Sequence, residues 1–461
     1  MTAATARRVF WAAIALGLVV RLAVFTQTSA LGTPIVDERH YSQLAASLLN
    51  GDGFAWGPGQ PTSLRPPLYP ALLASIWRVT GVGNLQAVRF LQILMSMLTA
   101  VLVYQLARRV FSERAGLVAA AVFWLYPSLI YFNFTILTET LFTLLFVGFV
   151  LLAVMLVQAP GLAVAIACGV CLGLAALTRS VLWPLPIVLC PLLAWLLSGS
   201  WRTRLILPAA LLVGYAVIVG PWAIRNTRLQ GVTEIVDTMG GINLRLGNYE
   251  YTAEDRMWAT IDLMTGEKEW SYALTQANPG RHFTEGEKDK WAQHAAVEYM
   301  RAHPGTTLKR DVIKFADFWG IEREFIASVQ HGALAPPRWF AAVAGGLIVL
   351  GYVAVIVAGA AGMWLARPAW REHALLLLPI VFITGIHTIV YGHSRYHMPL
   401  MPLLGIYAAG LIVRGRPAWW PPRGLKWYGA AASVLLLGAI WLRQFVFADA
   451  DRIRALFGHG G

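Results

Sequence analysis

Two adjacent carboxylates stand where a greasy stretch ends. The chain reads Val36-Asp37-Glu38-Arg39-His40-Tyr41 soon after an apolar run over 10–26, then continues through Gly51-Asp52-Gly53-Phe54 to Leu64-Arg65-Pro66-Pro67-Leu68-Tyr69-Pro70. Acids avoid hydrocarbon unless something partners them, so a pair at the mouth of a membrane helix is a site with a physical rationale. A carboxylate held there can take a proton from a hydroxyl. Arginines placed opposite can clamp an anionic group through a fork of charged donors. Such arginines recur along the chain: Arg65 beside the two prolines, Arg179 and Arg225 at the ends of two apolar runs, and Arg395 after another. Glu139, in Thr138-Glu139-Thr140, opens a further run.

The elements that must position these residues are membrane helices. With 57% hydrophobic and only 13% charged residues in 461, the composition is that of a polytopic membrane protein. Eleven apolar stretches, over 10–26, 90–107, 115–132, 136–157, 161–177, 181–197, 205–222, 339–365, 374–390, 398–413 and 427–447, come close to the ~20 residues that a helix needs to cross a bilayer. The expected fold is therefore all-α, with about eleven spans. The first stretch carries Arg21 and lacks a small-residue cleavage site, so it is expected to be a retained span.

The formal charge of +13 raises the question of nucleic acid, and its placement answers it. With the N-terminus inside, Arg7, Arg8, Arg108, Arg109, Arg114, Arg202, Arg204, Arg367, Arg371, Arg414, Arg416, Arg423 and Lys426 all fall on the cytoplasmic side, against only Glu113 and Glu372. That is the positive-inside bias of a membrane protein, and no nucleic-acid partner is expected. The same topology puts Asp37, Glu38, Arg65, Glu139, Arg179, Arg225 and Arg395 on the outer side, in one outward-facing polar pocket. Cys168, Cys171 and Cys190 lie inside apolar helices and read as packing residues.

Three regions are expected: an N-terminal transmembrane core over 1–222 with its outer loop at 30–85, an outer cap over 223–338, and C-terminal helices over 339–461. In the first loop, Tyr41, Leu44, Ala45, Leu48 and Leu49, and then Leu68, Leu72, Leu73, Ile76 and Trp77, recur at the spacing of interfacial helices. The cap opens on Met239-Gly240-Gly241-Ile242-Asn243-Leu244-Arg245-Leu246-Gly247-Asn248, expected to be a backbone-rich binding loop in which Asn243 and Asn248 meet a sugar. A capping box at Thr284-Glu285-Gly286-Glu287 then starts a helix that stops at His303-Pro304. A second amphipathic helix follows, with Leu308, Val312, Phe315, Ala316 and Trp319 on one stripe. His387 and His393 have no second ligand at helical spacing and are expected to be packed or solvated. The glycosylation-like Asn133-Phe134-Thr135 sits at a membrane boundary and is expected to be fortuitous.

Asp37-Glu38-x-x-Tyr41, a basic residue before Pro66-Pro67-Leu68, Thr138-Glu139, Pro221-Trp222-x-x-Arg225-Asn226 and Arg395-Tyr396-x-x-Pro399 together resemble the family 39 glycosyltransferases of the GT-C superfamily. These include the protein O-mannosyltransferases and the lipid A aminoarabinose transferases. The resemblance implies an enzyme in the bacterial inner membrane that takes a sugar from a polyprenyl-phosphate carrier and attaches it to an acceptor on the outer face. It maps the first-loop aspartate onto Asp37 and the basic residue onto Arg65, and adds Tyr396 to the donor-binding residues. No soluble sugar-binding module like that of the eukaryotic protein mannosyltransferases is expected, which leaves the acceptor open among lipid, glycan and protein.

The chemistry expected of these residues is a single displacement. Asp37 takes the acceptor's proton, with Glu38 as its catalytic neighbour and Tyr41, Glu139, Asn243 and Asn248 positioning the acceptor or the sugar. Arg65, Arg179, Arg225 and Arg395 hold the departing lipid phosphate. One base and one displacement invert the anomeric centre. No cofactor is required, no metal ligand is assigned, and a divalent cation is optional. The alternative is a transporter or flippase of lipid-linked sugars, which shares the arginines but has no need of an acid pair, and no inverted repeat supports it.

Overall fold

The computed structural model describes residues 2–254, 257–262, 266–420 and 424–449. Arg423, one of the basic residues assigned to the cytoplasmic side, lies outside them. Among the described residues the architecture is helical without a strand. In chain order the helices are α1 (Ala3–Gln27), α2 (Val36–Asn50), α3 (Leu68–Thr80), α4 (Leu85–Val110), α5 (Glu113–Leu125), α6 (Pro127–Phe132), α7 (Glu139–Gln158), α8 (Leu162–Ala176), α9 (Pro186–Leu196) and α10 (Trp201–Gln230). The segment between α10 and the later long helices holds α11 (Gly240–Leu246), α12 (Tyr272–Ala277), α13 (Glu285–Ala302), α14 (Pro304–Phe318) and α15 (Glu324–Gln330). The chain then returns through α16 (Arg338–Leu365), α17 (Trp370–Ile389), a 3₁₀ turn (Ser394–Leu400) running into α18 (Met401–Arg414), and α19 (Gly424–Arg443).

Eight of these segments are long and apolar enough to cross a membrane. The other three expected spans are shorter, for local reasons. The run over 115–132 is broken at Tyr126, whose extended backbone is what the following Pro127 favours. Pro184 and Pro186 leave only a 3₁₀ turn and the 11 residues of α9 from the run over 181–197. The run over 161–177 gives the 15-residue α8. This helix packs tightly on α10, because a Cβ added at Gly169 would lie 1.9 Å from the Leu211 carbonyl oxygen. Only a glycine allows the two backbones that close.

Both helices expected in the first loop form, as α2 and α3. Thr284 and Glu287 exchange the reciprocal capping bonds expected of them at 3.1 and 2.9 Å, and α13 begins there. The expected apolar stripe of α14 divides: Ala316 and Trp319 are buried, whereas Leu308 and Val312 face outward. Basic residues gather at one end of the helices. Arg7 reaches Glu113 at 3.5 Å, and Arg414 donates to the Arg367 carbonyl oxygen at 2.9 Å.

The stretch over 239–248 departs from the expected loop. It forms α11, whose first turn is capped by Asp289: one carboxylate oxygen accepts from the backbone N–H of Gly241 at 2.7 Å and of Ile242 at 3.0 Å. A Cβ at Gly241 would lie 2.0 Å from the Asp289 carbonyl oxygen, so that glycine serves helix packing rather than ligand approach.

Candidate active site

The turn after α6 is built by buried polar side chains from two early helices. Arg21 of α1, with no solvent exposure, donates to Asn133 Oδ1 at 2.9 Å and to the Trp124 carbonyl oxygen at 2.9 Å. Its guanidinium lies 3.6 Å from the centroid of the Trp124 ring. Arg89 of α4 is equally buried and donates to the carbonyl oxygens of Phe134 at 3.0 Å, Thr28 at 2.7 Å and Leu31 at 2.6 Å. Gln92 donates to the carbonyl oxygens of Asn133 and Thr135, and accepts from the Tyr69 hydroxyl. The turn so fixed offers the Ile136 N–H to Glu38 Oε1 at 2.8 Å and then delivers Glu139 at the start of α7.

On this frame five charged residues form one alternating chain. Arg65 Nη2 donates to Asp37 Oδ1 at 2.7 Å, and Arg395 Nη1 donates to Asp37 Oδ2 at 3.1 Å. Arg395 also reaches Glu139 Oε1 through Nε at 2.5 Å, and Arg179 Nη1 reaches the same oxygen at 3.3 Å. With both acids ionised, three guanidinium groups against two carboxylates leave the chain of charges one positive charge in excess. Burial pushes the Asp37 carboxyl up, but Arg65 and Arg395 outweigh it and hold Asp37 below the usual carboxylate range. Glu139 is fully buried, and its second oxygen has no hydrogen-bond partner among the described residues. Tyr41 stands under the Arg65 guanidinium at 5.9 Å, and Tyr396 under that of Arg179 at 5.7 Å. His387 stacks on Tyr396 at 4.4 Å.

Residues 64–224 match the family of dolichyl-phosphate-mannose-protein mannosyltransferases. No match was found among curated proteins. Among solved structures, the oligosaccharyltransferase of Archaeoglobus fulgidus in its apo form superposes with a TM-score of 0.51 at 14% identity, covering 96% of this chain and 55% of that one. The chain has a GT-C fold. It spans about half the length of the archaeal oligosaccharyltransferase it matches. ArnT of Cupriavidus metallidurans bound to undecaprenyl phosphate superposes with a TM-score of 0.43 at 16% identity, covering 88% of this chain and 79% of that one.

Several residues expected in the pocket lie outside it. Arg225 spends its donors on the first loop: Thr62 carbonyl oxygen at 2.6 Å, Phe54 carbonyl oxygen at 3.0 Å, Asn226 Oδ1 at 2.9 Å and Ser63 Oγ at 3.2 Å. It lies over the Trp222 ring at 4.7 Å and anchors the loop that carries Arg65. Glu38 turns away from Asp37, because successive helical residues do not share a face. Its oxygens accept from the N–H groups of Ile35 at 3.0 Å and Ile136 at 2.8 Å, which makes it a brace for α2. Burial raises its carboxyl above the usual range. Asn248 donates to the carbonyl oxygens of Leu244 and Ile389 and accepts from Lys314 Nζ, which ties α11 to α14 and the end of α17. Asn243 is half-buried on α11.

Other residues join the site without having been expected. His40 Nδ1 lies 3.1 Å from Arg65 Nη2. Glu324, at the start of α15, shares with Arg395 the lining of a small cavity on the cap side. Glu322 lines the same cavity and is bonded by Tyr126, Ser128 and His397. Arg21, Arg89 and Gln92 carried a readable signal, being polar residues inside apolar helices. Glu322 and Glu324 carried none, since nothing near them in the chain marks them as lining a cavity.

Proposed function

We propose that the protein is an inverting glycosyltransferase that moves a sugar from a polyprenyl-phosphate donor to a hydroxyl acceptor on the outer face of the inner membrane. The observation that carries this is the alternating chain Arg65–Asp37–Arg395–Glu139–Arg179. A phosphodiester brings one negative charge, which the single excess positive charge of that chain matches. Asp37 is the base. It accepts the acceptor hydroxyl proton while that oxygen bonds to the anomeric carbon. The bond from that carbon to the phosphate oxygen breaks, and its electron pair leaves with the lipid phosphate. Arg65 and Arg395 strengthen their hold as charge grows on the departing oxygen, which places stabilisation in the transition state.

Glu139 holds Arg395 and Arg179 in line, and its unpartnered oxygen suits a sugar or acceptor hydroxyl. A divalent cation is optional in this scheme. Both oxygens of Asp37 already face guanidinium groups, and among the described residues no three His, Cys, Asp or Glu side chains gather as metal ligands. The positive-inside bias supports an outward-facing site, and the core, cap and C-terminal helices over 1–222, 223–338 and 339–461 serve as its working parts. The deciding experiment offers purified protein a panel of polyprenyl-phosphate sugars with hydroxyl acceptors on lipids, glycans and peptides, and measures released lipid phosphate and glycosylated product. Release coupled to product supports the scheme. Movement of lipid-linked sugar across vesicles with no product from any acceptor refutes it.

A further inference from the structure

The two oxygens of Asp37 are held by the same guanidinium groups that the glycosyl-transfer scheme assigns to the donor phosphate. A carboxylate and a phosphate present similar forks of anionic oxygens to arginine, so both compete for Arg65 and Arg395. The five members of the chain differ in their freedom to exchange. The Glu139 side chain has no exposure and that of Arg395 only 8%, so this half is fixed. Asp37 keeps 25% and Arg65 18%, and Asp37 sits in the first turn of α2, where a side-chain rotation moves the carboxylate without moving the helix.

We propose that Asp37 is a built-in stand-in for the donor phosphate: it occupies Arg65 and Arg395 until a lipid phosphate displaces it, and that displacement frees it to act as the base. This rests on the glycosyltransferase scheme and adds an order to it. Before the donor arrives, the carboxylate is held by two cations and is a weak proton acceptor. Once the phosphate takes over the arginines, the same carboxylate loses the contacts that stabilise its ionised form and becomes a better one. Glu139 has the opposite role. It is a positioning residue that keeps Arg395 and Arg179 aligned with or without ligand.

The test uses undecaprenyl phosphate as the probe and full-length protein in nanodiscs. Affinity is measured for the wild type, Asp37→Asn, Asp37→Ala and Glu139→Gln, with thermal unfolding of each as the folding control. Removing the stand-in should tighten binding about tenfold in both Asp37 variants, equivalent to ~1.4 kcal/mol. Glu139→Gln should weaken binding by a similar factor, since two arginines lose their brace. Agreement between the Asn and Ala variants separates loss of the carboxylate from any bond made by asparagine itself. Unchanged or weaker binding in folded Asp37 variants overturns the inference and leaves the glycosyltransferase scheme standing. Failure of the wild type to bind undecaprenyl phosphate overturns the phosphate-clamp scheme itself.

Discussion

Truncation of Arg65 and of Arg225 to alanine should have opposite signatures, although both arginines sit at the first loop. Arg65→Ala removes a 2.7 Å charge-assisted bond and takes the charge chain from one excess positive charge to none. Hydrogen bonds to charged groups contribute roughly 1.5–3 kcal/mol, so affinity for a lipid phosphate should fall about 10-fold to 150-fold. The single-turnover transfer rate should fall further, because the arginine's hold strengthens as the phosphate departs. Arg225→Ala leaves that chain intact but strands the carbonyl oxygens of Phe54 and Thr62, which it now holds at 3.0 and 2.6 Å. Its cost should appear as about 3 kcal/mol of stability and as faster amide exchange over 54–63. Phosphate affinity per folded molecule should stay within about threefold of wild type, under ~0.7 kcal/mol. Equilibrium binding of undecaprenyl phosphate, thermal unfolding and hydrogen exchange on the two variants decide the matter. Equal loss of affinity in both, with Arg225→Ala as stable as wild type, would refute the assignment of Arg225 to the loop.

Asp37→Asn should lower single-turnover transfer by about 10²-fold to 10⁴-fold, the usual cost of a lost positioned base, and retention of a tenth of wild-type rate would remove Asp37 from that role. Because Arg65 and Arg395 depress its carboxyl, Asp37 stabilises the folded state above the ordinary carboxylate value of ~3.9, and this contribution is lost as pH falls through the lower folded value. The kcat/KM profile should therefore show no acid limb from Asp37 between about pH 5 and 8; a limb in that window that Asp37→Asn abolishes would contradict the clamp. For topology, cysteines placed at exposed Gln276 and Ser200 in whole cells should react with an impermeant thiol reagent at the first only. Labelling of Ser200→Cys from outside would reverse the orientation and with it the outward site.

The charged members of the site were readable from the chain for a simple reason. Glu139, Arg179 and Arg395 stand at the ends of apolar runs, where an ionised group without a partner is costly, so each announces that a partner exists, and Asp37 and Arg65 lie in the loop that follows the first run. Which partner each takes could not be read. Arg395 meets Asp37 across 358 positions of sequence, and only packing decides that Arg225 turns to the loop while Arg395 turns to the acids. Glu38 shows how adjacency misleads, since neighbouring residues on a helix face different directions and only Asp37 points into the chain of charges. The glycines over 239–248 are compatible with either a ligand loop or a tight helix crossing. The carboxylate that decides, Asp289, lies nearly fifty residues later. Helix existence was well marked by hydrophobic runs, but their lengths were trimmed by prolines at 127, 184 and 186, which act locally against a uniform apolar signal.

Asp37 and Glu139 belong to the first third of the chain, yet the guanidinium that joins them comes from Arg395. During synthesis the early helices enter the membrane carrying acids whose shared cation has not yet been made. Arg65 and Arg179 already give each acid one partner within the early half, so the segment over 394–400 brings the bridge between the two pairs rather than their first neutralisation. Completion of the charge chain is thus a late act of assembly, and a chain interrupted before that segment keeps its membrane helices while lacking the group that links its two acids. The wiring ties completion of the charge chain to arrival of the last membrane helices, a proofreading of synthesis written into one arginine.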